Sequence, residues 1–380
     1  MKYSANIISH LVLLMLFDSI QICAQLSISI INLPESKQET ENIYFAGNIN
    51  GWNPCDTAYQ FLKNKNGIYN ITFNPPLGKI EFKFTRGSWS SVESNKQNQD
   101  IENRIINYTG IQKTIDLFIE GWKEEKLIVS TAAKNVTILK EKFYIPQLYR
   151  ERKIWIYLPP DYHTTDKSYP VLYMHDGQNL FDASSSFSGE WGVDESLNSL
   201  FDEGQKGVIV IGIENGREYR VDEYTAWQNT KYGGGEGDKY VNFIVETLKP
   251  YVDANYRTLT NRQHTGIMGS SLGGLISFYA ALKHQNVFSK AGVFSPSFWF
   301  SEEVYEFAKT TRKQYDMRIF MLGGELESDS LVEEMSKMAT ILKNNGFQDS
   351  EIKLVTHIDG KHNEAYWQRE FSGCYLWLFR

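Results

Sequence analysis

Thr265-Gly266-Ile267-Met268-Gly269-Ser270-Ser271-Leu272-Gly273-Gly274 runs from a short apolar stretch into a G-x-S-x-G pattern. Leu275, Ile276, Phe278, Tyr279, Ala280, Ala281 and Leu282 follow with the density of a buried helix. A strand that turns sharply into a helix around a serine is the context a nucleophile elbow requires. Small residues on either side leave room for a strained turn that lifts one hydroxyl clear of the backbone. The helix beyond it offers free N–H groups and the positive end of its dipole to developing negative charge. Ser271 is therefore a candidate acylating nucleophile. Roughly 0.1 such patterns arise by chance in a chain of this size, so partner residues must carry the assignment.

Outward from this stretch the rhythm is alternating apolar strands and helices. Thr137-Ile138-Leu139, Arg152 to Pro159 and Tyr169 to Met174 read as strands. Val208-Ile209-Val210-Ile211-Gly212-Ile213 is almost wholly apolar, as a parallel strand buried on both faces should be. Tyr240 to Tyr251 has helical spacing through Phe243, Ile244 and Leu248 and is predicted to stop near Pro250. Strands Phe288 to Phe294, Met317 to Leu322 and Ile352 to Thr356 then alternate with helices Ser330 to Lys343 and Tyr366 to Phe379. This pattern predicts a doubly wound α/β domain over residues 126–380. Residues 25–125 differ. Tyr44-Phe45-Ala46, Ile68 to Phe73, Ile80 to Phe84 and Thr114 to Ile119 are short strands between turn-rich segments, which predicts an all-β, immunoglobulin-like sandwich.

A chain of 380 residues exceeds what one core usually serves, in keeping with two domains. Aromatic residues make up 14%, which aromatic β cores explain first and sugar- or aryl-binding platforms second. A formal net charge of −7 without a basic run argues against nucleic acid as a partner. Residues 1–24 read as an export signal: Lys2, then the apolar run Leu11 to Phe17, then cleavage after Ala24. The expected location is secreted or periplasmic. That run is too short to span a bilayer, and no later stretch would cross one. Cys55 and Cys374 fall in different predicted regions, so no disulfide scaffold is expected. No metal or cofactor is implied, and the oligomeric state is not legible.

A serine needs a base to take its proton. Past the signal the histidines are His163, His175, His264, His284, His357 and His362. In the chain order Ser, acid, His, His362 fits best, in Gly360-Lys361-His362-Asn363-Glu364 between the last strand and the last helix. The alternative is a polar residue that merely starts that helix. His357 ends the preceding strand and His264 precedes the nucleophile strand at its far end, so both are read as structural. The acid should follow a strand between Ser271 and His362, where Gly323-Gly324-Glu325-Leu326-Glu327-Ser328-Asp329 offers three carboxylates. Glu327 is the first choice, Glu325 the second and Asp329 the third, Asp329 being equally suited to cap the next helix. Two N–H groups must hold the oxyanion. They are predicted to be those of Leu272, just after the nucleophile, and Gln178, in the polar loop His175-Asp176-Gly177-Gln178-Asn179.

These stretches, with Glu190-Trp191-Gly192-Val193-Asp194-Glu195, Arg220-Val221-Asp222-Glu223-Tyr224-Thr225 and Phe294-Ser295-Pro296-Ser297, carry a family resemblance. From about Lys140 to Arg380 the chain resembles the esterases that include feruloyl, acetylxylan and enterochelin-type siderophore esterases and the mycolyltransferases. The resemblance implies an α/β-hydrolase sheet, an acid on a G-x-x-[DE] turn (supporting Glu327) and an oxyanion donor just after the H-D-G glycine (supporting Gln178). The N-terminal region resembles the starch- and glycogen-binding sandwich modules of α-glucan enzymes through Tyr44 to Trp52 and Phe82 to Trp89. In such modules exposed Trp rings stack on sugars, which makes Trp52 and Trp89 candidates. The preferred alternative is that both rings close the sandwich or face the second domain. Trp191, Trp227 and Trp299 fall in predicted loops above the sheet, where they would line an aryl pocket or pack in the core. The expected function is an exported serine carboxylic-ester hydrolase that removes feruloyl or acetyl groups from a xylan-type plant polysaccharide. A siderophore or other small-ester hydrolase is the second reading, for which a basic cleft is wanted and no basic cluster is visible near the motifs. A catalytically silent carbohydrate-binding protein is the third.

Overall fold

Every residue of Ile209–Ile213 is buried, because strands flank this segment on both sides and helices cover both of its faces. In the computed structural model the described residues are 25–34, 42–123 and 129–379. The predicted export signal, residues 1–24, lies outside them. The chain divides into two compact units, residues 1–127 and 128–380.

In the first unit, Leu26–Asn32 alternates buried and partly exposed residues. It pairs antiparallel with Tyr69–Phe73 and parallel with Lys113–Phe118, and Leu62–Lys63 extends this sheet. A second sheet is built from Tyr44–Gly47, Gly78–Thr85 and Arg104–Tyr108. Their inward side chains form one aromatic-rich core, in which the rings of Phe45 and Phe82 stack 4.6 Å apart. Much of the aromatic content of this region is thus structural.

The second unit holds eight strands: β1 (Val136–Ile145), β2 (Arg150–Tyr157), β3 (Val171–His175), β4 (Ile209–Ile213), β5 (Thr265–Ser270), β6 (Lys290–Phe294), β7 (Arg318–Gly324) and β8 (Ile352–His357). They form one sheet in the order β1-β2-β4-β3-β5-β6-β7-β8. β2 runs antiparallel to β1 and β4, and all pairs from β4 to β8 are parallel. A parallel sheet needs apolar cover on both faces. One face meets the helices Gly237–Phe243, Leu272–Lys283 and Leu331–Asn344, the other Val193–Asp202 and Glu364–Phe379. In Leu272–Lys283 every residue except Lys283 is buried, which explains its lack of a polar stripe. The helix predicted to stop near Pro250 continues to Asn255 through a wide turn over Ile244–Leu248, and Pro250 sits in the first turn after it. A proline lacks only a donor that this position does not use.

Phe278 is fully buried and meets the ring of Phe298 edge-on at 5.2 Å. Phe278→Ala should cost the larger unit about 3–5 kcal/mol by opening a cavity, measured as a lowered urea midpoint with unchanged slope.

Candidate active site

Ser271 stands between β5 and the helix Leu272–Lys283 with φ 60° and ψ −124°, a conformation that favours glycine and is held here by its surroundings. Its N–H donates to the Phe294 carbonyl at 2.9 Å, and its own carbonyl accepts from Leu275 N at 3.0 Å and Ser297 N at 3.1 Å. The end of β6 and the loop after it therefore grip the turn. The neighbouring glycines are required: a Cβ on Gly269 would meet the Gly273 backbone at 2.7 Å, and one on Gly274 would meet the Phe294 carbonyl oxygen at 2.7 Å. The Ser271 hydroxyl lies 3.3 Å from Ser297 Oγ. Among the described residues no hydrogen bond joins it to His362. In ligand-free enzymes a nucleophile–base link is often long and tightens only around substrate.

The structure brings His362 and Glu327 together. His362 Nδ1 is 2.6 Å from Glu327 Oε2, short as charge-assisted bonds are. With Nδ1 donating, the lone pair is left on Nε2. The Glu327 side chain is 2% exposed, that of His362 45%, so the acid is sealed in while the imidazole meets solvent. The other carboxylate oxygen, Oε1, accepts from Gly324 N at 2.7 Å and Ser295 Oγ at 2.8 Å. Ser295 in turn accepts from Trp367 Nε1 at 2.8 Å, and the Trp367 ring meets the His362 ring edge-on at 5.2 Å. One tryptophan thus props both members of the pair. The competing acids, Glu325 and Asp329, are exposed. His357 bonds Tyr366 Oη at 3.1 Å and His264 lies in the turn before β5, the structural positions expected of them.

The turn after β3 carries Gln178, the residue expected to give the other donor. Asp176 is left-handed (φ 54°, ψ 47°), and a Cβ on Gly177 would strike the backbone of Gly212 at 2.7 Å and Glu214 at 2.8 Å. The Gln178 carbonyl accepts from Ser185 Oγ at 2.7 Å, and its side-chain oxygen accepts from Asn215 N at 3.2 Å. Leu272 N opens its helix, where no helix carbonyl reaches it. The sequence did not disclose how this turn is braced. Burial alone would raise the Asp176 carboxyl, but the Arg220 guanidinium, with hydrogen bonds from Arg220 and Asn215, brings it below the ordinary range. Arg220 Nε is 2.7 Å and Nη2 2.9 Å from the carboxylate, and Asn215 Nδ2 is 2.7 Å away. Tyr224 Oη accepts from Asp176 N at 3.1 Å. Glu223, fully buried, takes Arg150 and Arg152 from β2. The stretch Arg220 to Tyr224 therefore braces the turn that carries Gln178. Beneath it His175 is buried against Tyr240 Oη at 3.0 Å, and burial lowers its imidazole to about 3, keeping it neutral.

The three tryptophans predicted above the sheet separate. Trp191 is a correction: it is 2% exposed, with its ring stacked on Phe294 and tilted against Trp367, because the loop carrying it folds into the core rather than over the site. Trp227 is half-buried against Tyr279 and Phe307, mainly a packing residue. Trp299 is 55% exposed beside Tyr232, two residues past Ser297. In the first unit Trp89 is 44% exposed with its ring 6.3 Å from that of Trp52, so Trp89 does not close the sandwich core. A second correction concerns charge. Lys153, Arg217 and Arg220 line an open cavity of about 820 Å³ with Gln178, Glu141 and Glu214, and Lys153 pairs with Glu141 and Arg220 with Asp176. Basic residues do converge near the motifs, from β2 and the loop after β4. Their separation in sequence hid them. Cys55 is exposed and Cys374 buried, and both are free.

Gly324 and Gly360 touch through their backbones, and a Cβ on Gly324 would land on the Gly360 carbonyl group. Gly324→Ala should push the acid turn from the histidine loop and lower kcat by about 10²-fold with an unchanged far-UV spectrum.

The sequence model of the family described as "Putative esterase" matches residues 145–378. "Uncharacterized protein YbbA" of Bacillus subtilis (strain 168) is 31% identical over 242 residues, 60% of this chain and 92% of that protein. The N-terminal region is similar to part of the alpha-amylase of Niallia circulans, 36% identical over 96 residues, 25% of this chain and 7% of the amylase. Among solved structures, the enterochelin esterase of Shigella flexneri covers 90% of this chain and 88% of its own at a TM-score of 0.53 and 14% identity. The BES protein from Bacillus cereus covers 67% and 97% at 0.52 and 20% identity. At such identities the likeness shows a shared fold. With its α/β-hydrolase sheet and a family match across nearly all of the second unit, the chain belongs to the esterase family.

Proposed function

We propose that this esterase works through an acyl-enzyme on Ser271, with His362 as base and Glu327 orienting it. The observation that carries the reading is the 2.6 Å His362–Glu327 pair at the same sheet edge as the Ser271 elbow. Ser271 Oγ attacks the ester carbonyl as His362 Nε2 takes its proton. The N–H groups of Leu272 and Gln178 receive the oxyanion. The imidazolium, stabilised by Glu327, protonates the leaving alcohol. Water, deprotonated by His362, then releases the acid. Ser271→Ala should lower kcat by about 10⁴–10⁶-fold and Glu327→Gln by about 10⁴-fold, with the fold intact. Full activity in purified Ser271→Ala would overturn the Ser271 assignment, and an unmodified protein inactive on every ester would leave the third reading, a silent carbohydrate-binding protein, in its place.

The substrate we propose is a feruloyl or acetyl ester on a xylan-type polysaccharide. Supporting it are the exposed Trp299 and Tyr232 beside the loop that grips Ser271, and the Trp52–Trp89 pair in a module-like sandwich. A second reading, a siderophore or related small ester, is favoured by the open cavity at Gln178, where Arg217 is exposed. A panel of methyl ferulate, acetylated xylan and a catecholate siderophore ester separates them. The first reading predicts the highest kcat/KM on feruloyl or acetyl esters, with Trp89→Ala weakening retention on the polysaccharide. Preference for the siderophore, lost in Arg217→Ala, would replace it. Export is part of the proposal, and a mature N-terminus at Gln25 is its check.

A further inference from the structure

Glu190, Asp194 and Glu195 belong to a stretch that the proposed chemistry leaves unused. Each presents a carboxylate oxygen, and the three oxygens all lie within 4.8 Å of one another. Three carboxyl groups this close repel one another when ionised, and none of the three takes part in an ion pair among the described residues. The first turn of Val193–Asp202 offers only its dipole to Asp194 and Glu195. That accounts for an acid at the exposed position 195, and not for the buried oxygens. Asp194 is fully buried. Its Oδ2 accepts from Ala133 N at 2.7 Å, whereas its Oδ1 has no hydrogen-bond partner. Glu190 repeats the pattern: Oε2 accepts from Thr131 Oγ1 at 2.8 Å and Oε1 is buried without a partner. A buried carboxylate oxygen without a donor, in a cluster of carboxyl groups, is costly unless a proton is shared or a cation sits among them.

We infer that Glu190, Asp194 and Glu195 form a calcium site. The donors are all oxygen, which selects a hard cation. Two Ca–O bonds of about 2.3–2.6 Å span about 4.6–5.2 Å, so oxygens confined to 4.8 Å of each other fit around one calcium ion. Glu195 is exposed and leaves an opening for water ligands and for entry. Calcium accepts such an irregular, partly hydrated shell more readily than magnesium, which demands a regular octahedron. The protein chain has a use for the ion. Thr131 and Ala133, the Glu190 loop and the Asp194 helix are brought together at this point. That loop is bound to the oxyanion turn through Trp191 N on the Asn179 carbonyl and Val193 N on the Leu180 carbonyl. The ion would tie the start of the second unit to the segment that follows Gln178.

The test is calorimetric titration of the full chain, stripped with chelator, with CaCl2 to about 10 mM, above the range of weak calcium modules, beside thermal unfolding. The inference predicts one Ca²⁺ bound per chain and a higher unfolding midpoint, reversed by chelator. Glu195→Gln, an exposed change that keeps the fold, should weaken binding at least 10-fold, and Asp194→Asn should abolish it. No binding heat together with an unmoved midpoint in the unmodified protein would overturn it and leave a pair of carboxyl groups sharing a proton. Binding of Mg²⁺ in preference to Ca²⁺ would overturn the calcium assignment.

Discussion

Ser271 is held at φ 60° and ψ −124°, and most of the catalytic edge can be understood from what that requires. A non-glycine residue there costs about 1–3 kcal/mol, so the surroundings must over-determine it. They do so through a fully buried helix behind it, glycines whose neighbours leave no room for a Cβ, and main-chain bonds to Phe294, Leu275 and Ser297. Once the hydroxyl is fixed, the other groups must be delivered to it. A parallel sheet does this because β3, β5, β6, β7 and β8 all end at the same edge. The loops after β3, β6, β7 and β8 supply Gln178, Ser297, Glu327 and His362 respectively.

Positioning is done by charges and rings that take no part in the proposed chemistry. Asp176 and Arg220 are a largely buried pair whose net stabilisation is expected to be small, because desolvation offsets attraction. Their value is geometric: the pair, with Asn215 and Tyr224, leaves the turn before Gln178 one arrangement. Trp367 does the same for the acid and base, through Ser295 to Glu327 and by contact with His362. Glu364 fastens the loop after the oxyanion turn to the last helix by accepting from Asn179 and Ser188.

The sequence disclosed what is local and withheld what is distant. The alternation of wholly apolar strands with helices was enough for the α/β sheet, and G-x-S-x-G between a strand and a helix was enough for the elbow. The pairing of Glu327 with His362 followed from chain order and loop position. Nothing in one dimension could show that Arg220 meets Asp176 across 44 positions, or that Lys153 and Arg217 converge on Gln178. Trp191 failed for a related reason. A tryptophan between loop residues looks available for a ligand, and only the packing of Phe294 and Trp367 around it shows that it is core. The acidic cluster was invisible because Glu190 owes its proximity to Asp194 to the way the loop enters the helix.

If Ser271 is a nucleophile made reactive by His362, covalent capture reads that directly. A fluorophosphonate should add once to the protein, and peptide mapping should find the adduct on Ser271. Labelling should fall sharply in His362→Ala, whose elbow is intact but whose base is gone. Labelling at another serine, or undiminished labelling of Ser271 in His362→Ala, would contradict it.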